Sequence, residues 1–130
     1  MTKKIPFIFS NNQPSKKTNR IILHIPKTIT KKTDLFDVFE RGFQFPYFGR
    51  NWDALNDCLN GFEWIKEKSE IMVFHTDLPQ LSDKELHIYL DILLHCVNSW
   101  RTCEGSYVCH VFNVVFPESV EKSIYKILNT

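Results

Sequence analysis

Two carboxylates four residues apart, Asp53 and Asp57, stand in a stretch otherwise rich in amides and aromatic rings. Residues 47–62 read Tyr-Phe-Gly-Arg-Asn-Trp-Asp-Ala-Leu-Asn-Asp-Cys-Leu-Asn-Gly-Phe. On a helix, positions i and i+4 share a face, so both acids are expected to point outward together, with Asn56 and Asn60 close by. A carboxylate accepts paired hydrogen bonds from an arginine much as a phosphate does. Two of them beside Tyr47 and Trp52 would make a phosphate mimic with aromatic anchors. The plainer alternative is a solvated helix face whose Asp53 merely favours the positive end of the helix.

These side chains need a helix to carry them. Asn51 is a good N-cap and Asp53 falls in the first turn. Leu55, Cys58, Leu59 and Phe62 follow the i, i+3, i+4, i+7 pattern of a core-facing stripe. Ahead of the helix, Pro46 and Gly49 break the chain, and Gly49 can take a positive φ that other residues resist.

The remaining elements follow from period and punctuation. Arg20 to Ile25 reads as a buried strand ended by Pro26. Residues 5–9 are expected to be an edge strand or an extended arm, because Pro6 excludes a central strand. Asp34 is placed as the cap of a helix through Phe43 that buries Leu35, Phe36, Phe39 and Phe43. Ile71 to His75 is a second buried strand. Ser82-Asp83-Lys84-Glu85 is a capping box that opens a long helix with Leu86, Tyr89, Leu90, Leu93, Val97 and Trp100 as its stripe, closed by Gly105. Residues 107–116 read as a third strand. Pro117 starts a last helix buried through Val120, Ile124, Ile127 and Leu128. This alternation predicts an α/β fold with a small three-stranded parallel sheet and right-handed crossovers.

Around Tyr47, Gly49, Asn51, Asp53-Ala54-Leu55 and Asp57-Cys58-Leu59, continued by Gly61 and Phe62, the sequence resembles the barstar family of intracellular ribonuclease inhibitors. The order of elements from about Arg20 to Val115 matches as well. Residues 1–19, a basic arm or edge strand, and the final helix fall outside the resemblance, and residues 20–130 are taken as one barstar-like domain. The resemblance implies an immunity-type protein that sets this loop and helix into the active site of a ribonuclease toxin. Asp57 would take the place of a substrate phosphate, Asp53 would be a second acidic contact, Tyr47 an anchor, and Gly49 and Asn51 would shape the loop. Trp52, Asn56 and Asn60 complete the expected partner-binding set. The family's namesake has an apolar residue at Trp52 and a tryptophan at Asn56, and its further acidic contact on a later helix has no clear match here.

Bulk properties agree. The net charge of +1 divides sharply: residues 1–32 carry +8, residues 33–121 carry −9, and the tail adds +2. An acidic body favours a basic protein partner over nucleic acid. No stretch approaches a membrane span or a signal peptide, so a cytoplasmic monomer is expected, with no cofactor. Cys58 and Cys96 fall at core-facing helical positions. His95-Cys96, Cys103 and Cys109-His110 raise a metal alternative, but their spacing is not that of a zinc knuckle, and no metal is expected. Catalysis by Asp53, Asp57, His75 and His110 would need a nucleophile motif or phosphate-binding loop that the chain lacks. Two rivals keep a binding role: a barstar-like adaptor for a non-nuclease partner, and a nucleic-acid module built on the basic N-terminus.

Overall fold

The computed structural model describes residues 4–104 and 108–129. Four parallel strands form the sheet: β1 (Ile8–Phe9), β2 (Arg20–Ile25), β3 (Glu70–His75) and β4 (Val111–Phe116), in the order β1-β4-β3-β2. The helices are α1 (Lys32–Phe43), α2 (Trp52–Gly61), α3 (Asp83–Arg101) and α4 (Glu121–Leu128), the last entered through a short 3-10 turn at Glu118–Val120. The fold is the expected parallel α/β arrangement, but the sheet has four strands where the sequence predicted three. The fourth is β1, which pairs Ile8 with Val115 and Phe9 with Phe116. A two-residue strand has no periodicity of its own, so it exists only through its distant partner.

Alternation sorts the sheet into two faces. Leu23, Ile25, Ile71, Val73, Phe112, Val114 and Phe116 join the helices in one core, whereas Met72, Phe74 and Val115 form a small cluster with Ile22 on the other side. The strand order runs one way from β2 through β3 and β4 to β1, so right-handed crossovers keep the helices on one face. Residues 10–19 return from the β1 edge to the β2 edge. Ser10 N donates to the Phe116 carbonyl, and Arg20 reaches the Ser15 carbonyl.

Ile5 and Phe7 are buried in the main core alongside these elements. A chain beginning at Ser10 is therefore expected to lose several kcal/mol, roughly 1.5–3 for each of those two side chains. The measurement is the urea midpoint, and an unchanged value would remove residues 4–9 from the energetics of the fold.

Local details depart from expectation at three places. Helix α1 starts one turn earlier than Asp34, with Lys31 at the cap position. Asp34 Oδ2 reaches back to accept from the Thr30 amide and hydroxyl. Ser82 caps α3 as expected, accepting from Glu85 N; Gly105 and Tyr107 lie outside the described residues, and the strand predicted over 107–116 begins only at Val111, with residues 108–110 outside it. Cys103 and Cys109 are joined in a disulfide with a Cα–Cα separation of 5.6 Å, leaving Cys58 and Cys96 free. That pairing takes the place of the metal alternative. Among the described residues no group of three His, Cys, Asp or Glu side chains is placed to hold an ion, and no helix is long and apolar enough to cross a membrane.

His75, at the end of β3, is fully buried. Its ring stacks on Phe116 with centroids 3.8 Å apart. Nδ1 lies 3.0 Å from the Val115 carbonyl and so carries the proton, which leaves Nε2 to accept from the Tyr89 hydroxyl at 2.6 Å. Burial outweighs the carbonyl's effect and pushes the His75 pKa down to about 3. It is a neutral tie between sheet and α3.

Candidate partner-binding surface

The loop between α1 and α2 is held by what it buries. Gln44 ends α1 in the left-handed region with φ 52°. Phe45 and Phe48 then plug into the core, edge to face with each other at 5.2 Å, and Phe48 meets Phe36 of α1 at 5.5 Å. Two rings pointing in leave Pro46 and Tyr47 at the tip. Tyr47 is 84% exposed, far beyond any other large apolar or aromatic side chain among the described residues.

Gly49 does not play the conformational role expected of it. Its φ is not positive, and a Cβ placed there would meet Ala54 Cβ at an ordinary 3.4 Å. The left-handed residue is Arg50, φ 56°. Gly49→Ala is therefore expected to leave the free energy of unfolding within about 0.5 kcal/mol of the parent's, as read from urea unfolding. A larger loss of stability would show that the loop needs glycine for its backbone after all.

Asn51 caps α2 as expected, its side-chain oxygen accepting from Ala54 N at 2.7 Å. Leu55, Leu59 and Phe62 are buried and Cys58 is half-buried, so the core stripe is as predicted. Asp53 and Asp57 are both exposed, but they open into different clefts. Asp57 shares a shallow cleft of about 350 Å³ with Pro46, Tyr47, Gly49, Ala54, Cys58, Glu63 and Trp64. Asp53 lines a second, of about 340 Å³, with Trp52 and Asn56 of α2 and His87, Ile88, Asp91, Ile92 and His95 of α3. Each cleft thus adds one acid that sequence reasoning did not select, Glu63 and Asp91. Glu63 lies just past the helix end, and its carboxylate occupies the space that a Cβ on Gly61 would take.

None of these four carboxylates forms an ion pair among the described residues, whereas Asp37 and Glu40 of α1 are both taken up by Arg50. Like charges left unpaired around one helix leave a negative surface free for a basic ligand. Within it Cys58 stays a thiol: burial first, then Asp57 and Glu63, push its pKa up, and its Sγ–H donates to the Tyr47 carbonyl at 3.6 Å.

Three of the expected residues turn partly inward. Trp52 is half-buried against Phe36 at 5.0 Å and Tyr89 at 6.3 Å, so most of its ring supports the core and does not stand at the rim. Asn56 and Asn60 lie half-buried toward α3. Asn60 Nδ2 donates to the Asn56 carbonyl and side-chain oxygen, and Asn56 Oδ1 lies 3.9 Å from the buried Cys96 thiol. Asn60 Oδ1 is buried without a hydrogen-bond partner. A further cavity, about 540 Å³, lies past the end of α2, between Phe62, Trp100 and His110.

Fold and surface together define a small parallel α/β domain with an acidic display helix. Residues 21–112 match the family described as Barstar (barnase inhibitor), more than half of the chain, and the protein belongs to the barstar family. No curated protein and no solved structure matches it. Strand β1, most of β4 and helix α4 lie beyond the matched residues.

Proposed function

We propose that this protein is an inhibitor of the immunity or antitoxin type, which blocks a basic ribonuclease by setting the 44–51 loop and α2 into its active site. The observation that carries this reading is the exposed, unpaired Asp57 beside the protruding ring of Tyr47. An aromatic anchor next to a carboxylate free to accept paired hydrogen bonds suits a site built from Arg, Lys and His to hold phosphate. Tyr47, Gly49, Asn51, Asp53 and Asp57 are the direct contacts in this reading, joined by Glu63. Trp52, Asn56 and Asn60 contribute at the margin, through whatever part of each side chain faces out. The protein acts in the cytoplasm as a monomer, as a stoichiometric binder with no turnover of its own.

The test is a titration of small basic bacterial ribonucleases, first among them any encoded beside this chain. Activity should fall linearly to an end point at one inhibitor per enzyme, and the association rate should drop as salt rises, because the attraction is between opposite net fields. Absence of inhibition across such a panel, or binding indifferent to salt, would sink the proposal.

A further inference from the structure

The loop carries one cation, and its placement is unusual. Arg50 lies in the left-handed backbone region at φ 56°, which residues other than glycine occupy only when their surroundings hold them there. Its guanidinium reaches back to α1, donating from Nη2 to Asp37 Oδ1 at 2.6 Å and from Nη1 to Glu40 Oε1 at 2.7 Å. Asp37 and Glu40 are three residues apart and so share one helix face. Phe45 and Phe48 anchor the first part of the loop, and Asn51 anchors the start of α2. Between them, the other tie is a long 3.5 Å contact from Asn51 Nδ2 to the Gly49 carbonyl. The fork onto α1 is thus the main hold on the last turn of the loop.

We infer that Arg50 is a positioning residue, a latch on Asp37 and Glu40 that keeps the 44–51 loop in its binding conformation before a partner arrives. The inference rests on the reading that the Tyr47 and Asp57 face receives that partner. Magnitudes decide what the latch does. Exposed ion pairs add little to global stability, although a fork onto two carboxylates exceeds a single pair. Any loop ordering that must occur at the moment of binding is subtracted from affinity. The same contacts therefore weigh more on binding than on folding. The latch has a second effect, since the one positive charge of Arg50 offsets one of the two negative charges of Asp37 and Glu40, whereas the carboxylates of the two clefts along α2 have no such partner.

Two variants break the latch from opposite sides. Arg50→Gly keeps the backbone conformation accessible and removes the fork, while Asp37→Asn with Glu40→Gln leaves the loop sequence untouched. Amide hydrogen exchange over residues 45–51 of the free protein, the thermal midpoint, and the rates of binding to a catalytically inactivated small basic ribonuclease are measured for each. In both variants loop exchange should rise about tenfold or more while α2 and the sheet keep their protection, and Kd should rise about tenfold. Unchanged loop exchange in the Asp37 and Glu40 variant would overturn the inference, as would exchange rising equally through α2 and the sheet. Asp57→Ala, measured in parallel, separates the two ideas. If it leaves affinity intact, the reading of the face fails whatever the latch does; if it weakens binding and the latch variants do not, the latch alone is overturned.

Discussion

Asp57→Ala is expected to weaken binding to the target ribonuclease by 2–4 kcal/mol, roughly a 30- to 1,000-fold rise in Kd. The size follows from position. Asp57 is exposed in the free protein and has no ion pair there, so no ion pair is lost on truncation, and the folded state should change by no more than about 0.5 kcal/mol. In the complex it would lie in a cleft walled by Tyr47 and Trp64, desolvated against basic side chains that its removal leaves buried and unpaired. Leu59→Ala, one turn-face away, should do the reverse. Leu59 is fully buried, so it should cost about 2–5 kcal/mol of stability with little change in the affinity of the folded fraction. Calorimetry of binding and urea unfolding, run on both variants, separate the two faces of α2. An Asp57→Ala affinity equal to the parent's would end the phosphate-mimic assignment.

Acid should unfold this protein earlier than its carboxylates alone would dictate, because of His75. In the unfolded chain a histidine takes up a proton near pH 6.5. In the folded protein burial holds His75 neutral down to about pH 3. Its folded pKa is depressed, so the associated stability is whole above about pH 6.5 and drains as the pH falls toward 3. The slope is at most about 1.4 kcal/mol per pH unit, on the order of 4–5 kcal/mol across the window. That is a large share of the roughly 5–15 kcal/mol that holds an ordinary domain together. Urea unfolding from pH 7 to 4 checks it, compared with a His75→Leu, Tyr89→Phe double variant that removes donor and acceptor together. The parent should lose stability more steeply than the variant. Parallel curves would show that the ring titrates in the folded state as it does in the unfolded one.

Much of the architecture was legible in the sequence because it is local. The Asn51 cap, the Ser82 capping box and the stripe of Leu55, Leu59 and Phe62 depend only on spacing along one helix, and the three longer strands on runs of branched and aromatic residues. What was not legible depends on elements meeting. Residues 5–9 could be read only as an edge strand or an arm, and the choice of edge strand is made by β4, more than a hundred positions away. Trp52 turns inward because Phe36 and Tyr89, from two other helices, offer it an aromatic wall. Glu63 and Asp91 join the acidic surface only once the chain past α2 folds over Gly61 and α3 packs beside α2. Glycine chemistry misled at the loop: Gly49 looked like the residue of unusual φ, but two carboxylates on α1 let Arg50 take that place. Their spacing to Arg50 was visible in the sequence, and a search for acids one helix upstream of a loop cation would have found them.

The pairing of β1 with β4 also orders events during synthesis. Ile8 and Phe9 leave the ribosome more than a hundred positions ahead of their partners, Val115 and Phe116. At roughly 5–20 residues per second, the first strand waits on the order of 5–20 s for a place in the sheet. Contacts of such long sequence separation are slow to form even in a complete chain. Through that interval the segment bearing Tyr47, Asp53 and Asp57 has already emerged, on a domain whose sheet is still open at one edge. A nascent chain thus displays the residues proposed to meet a partner before it has the frame that aims them.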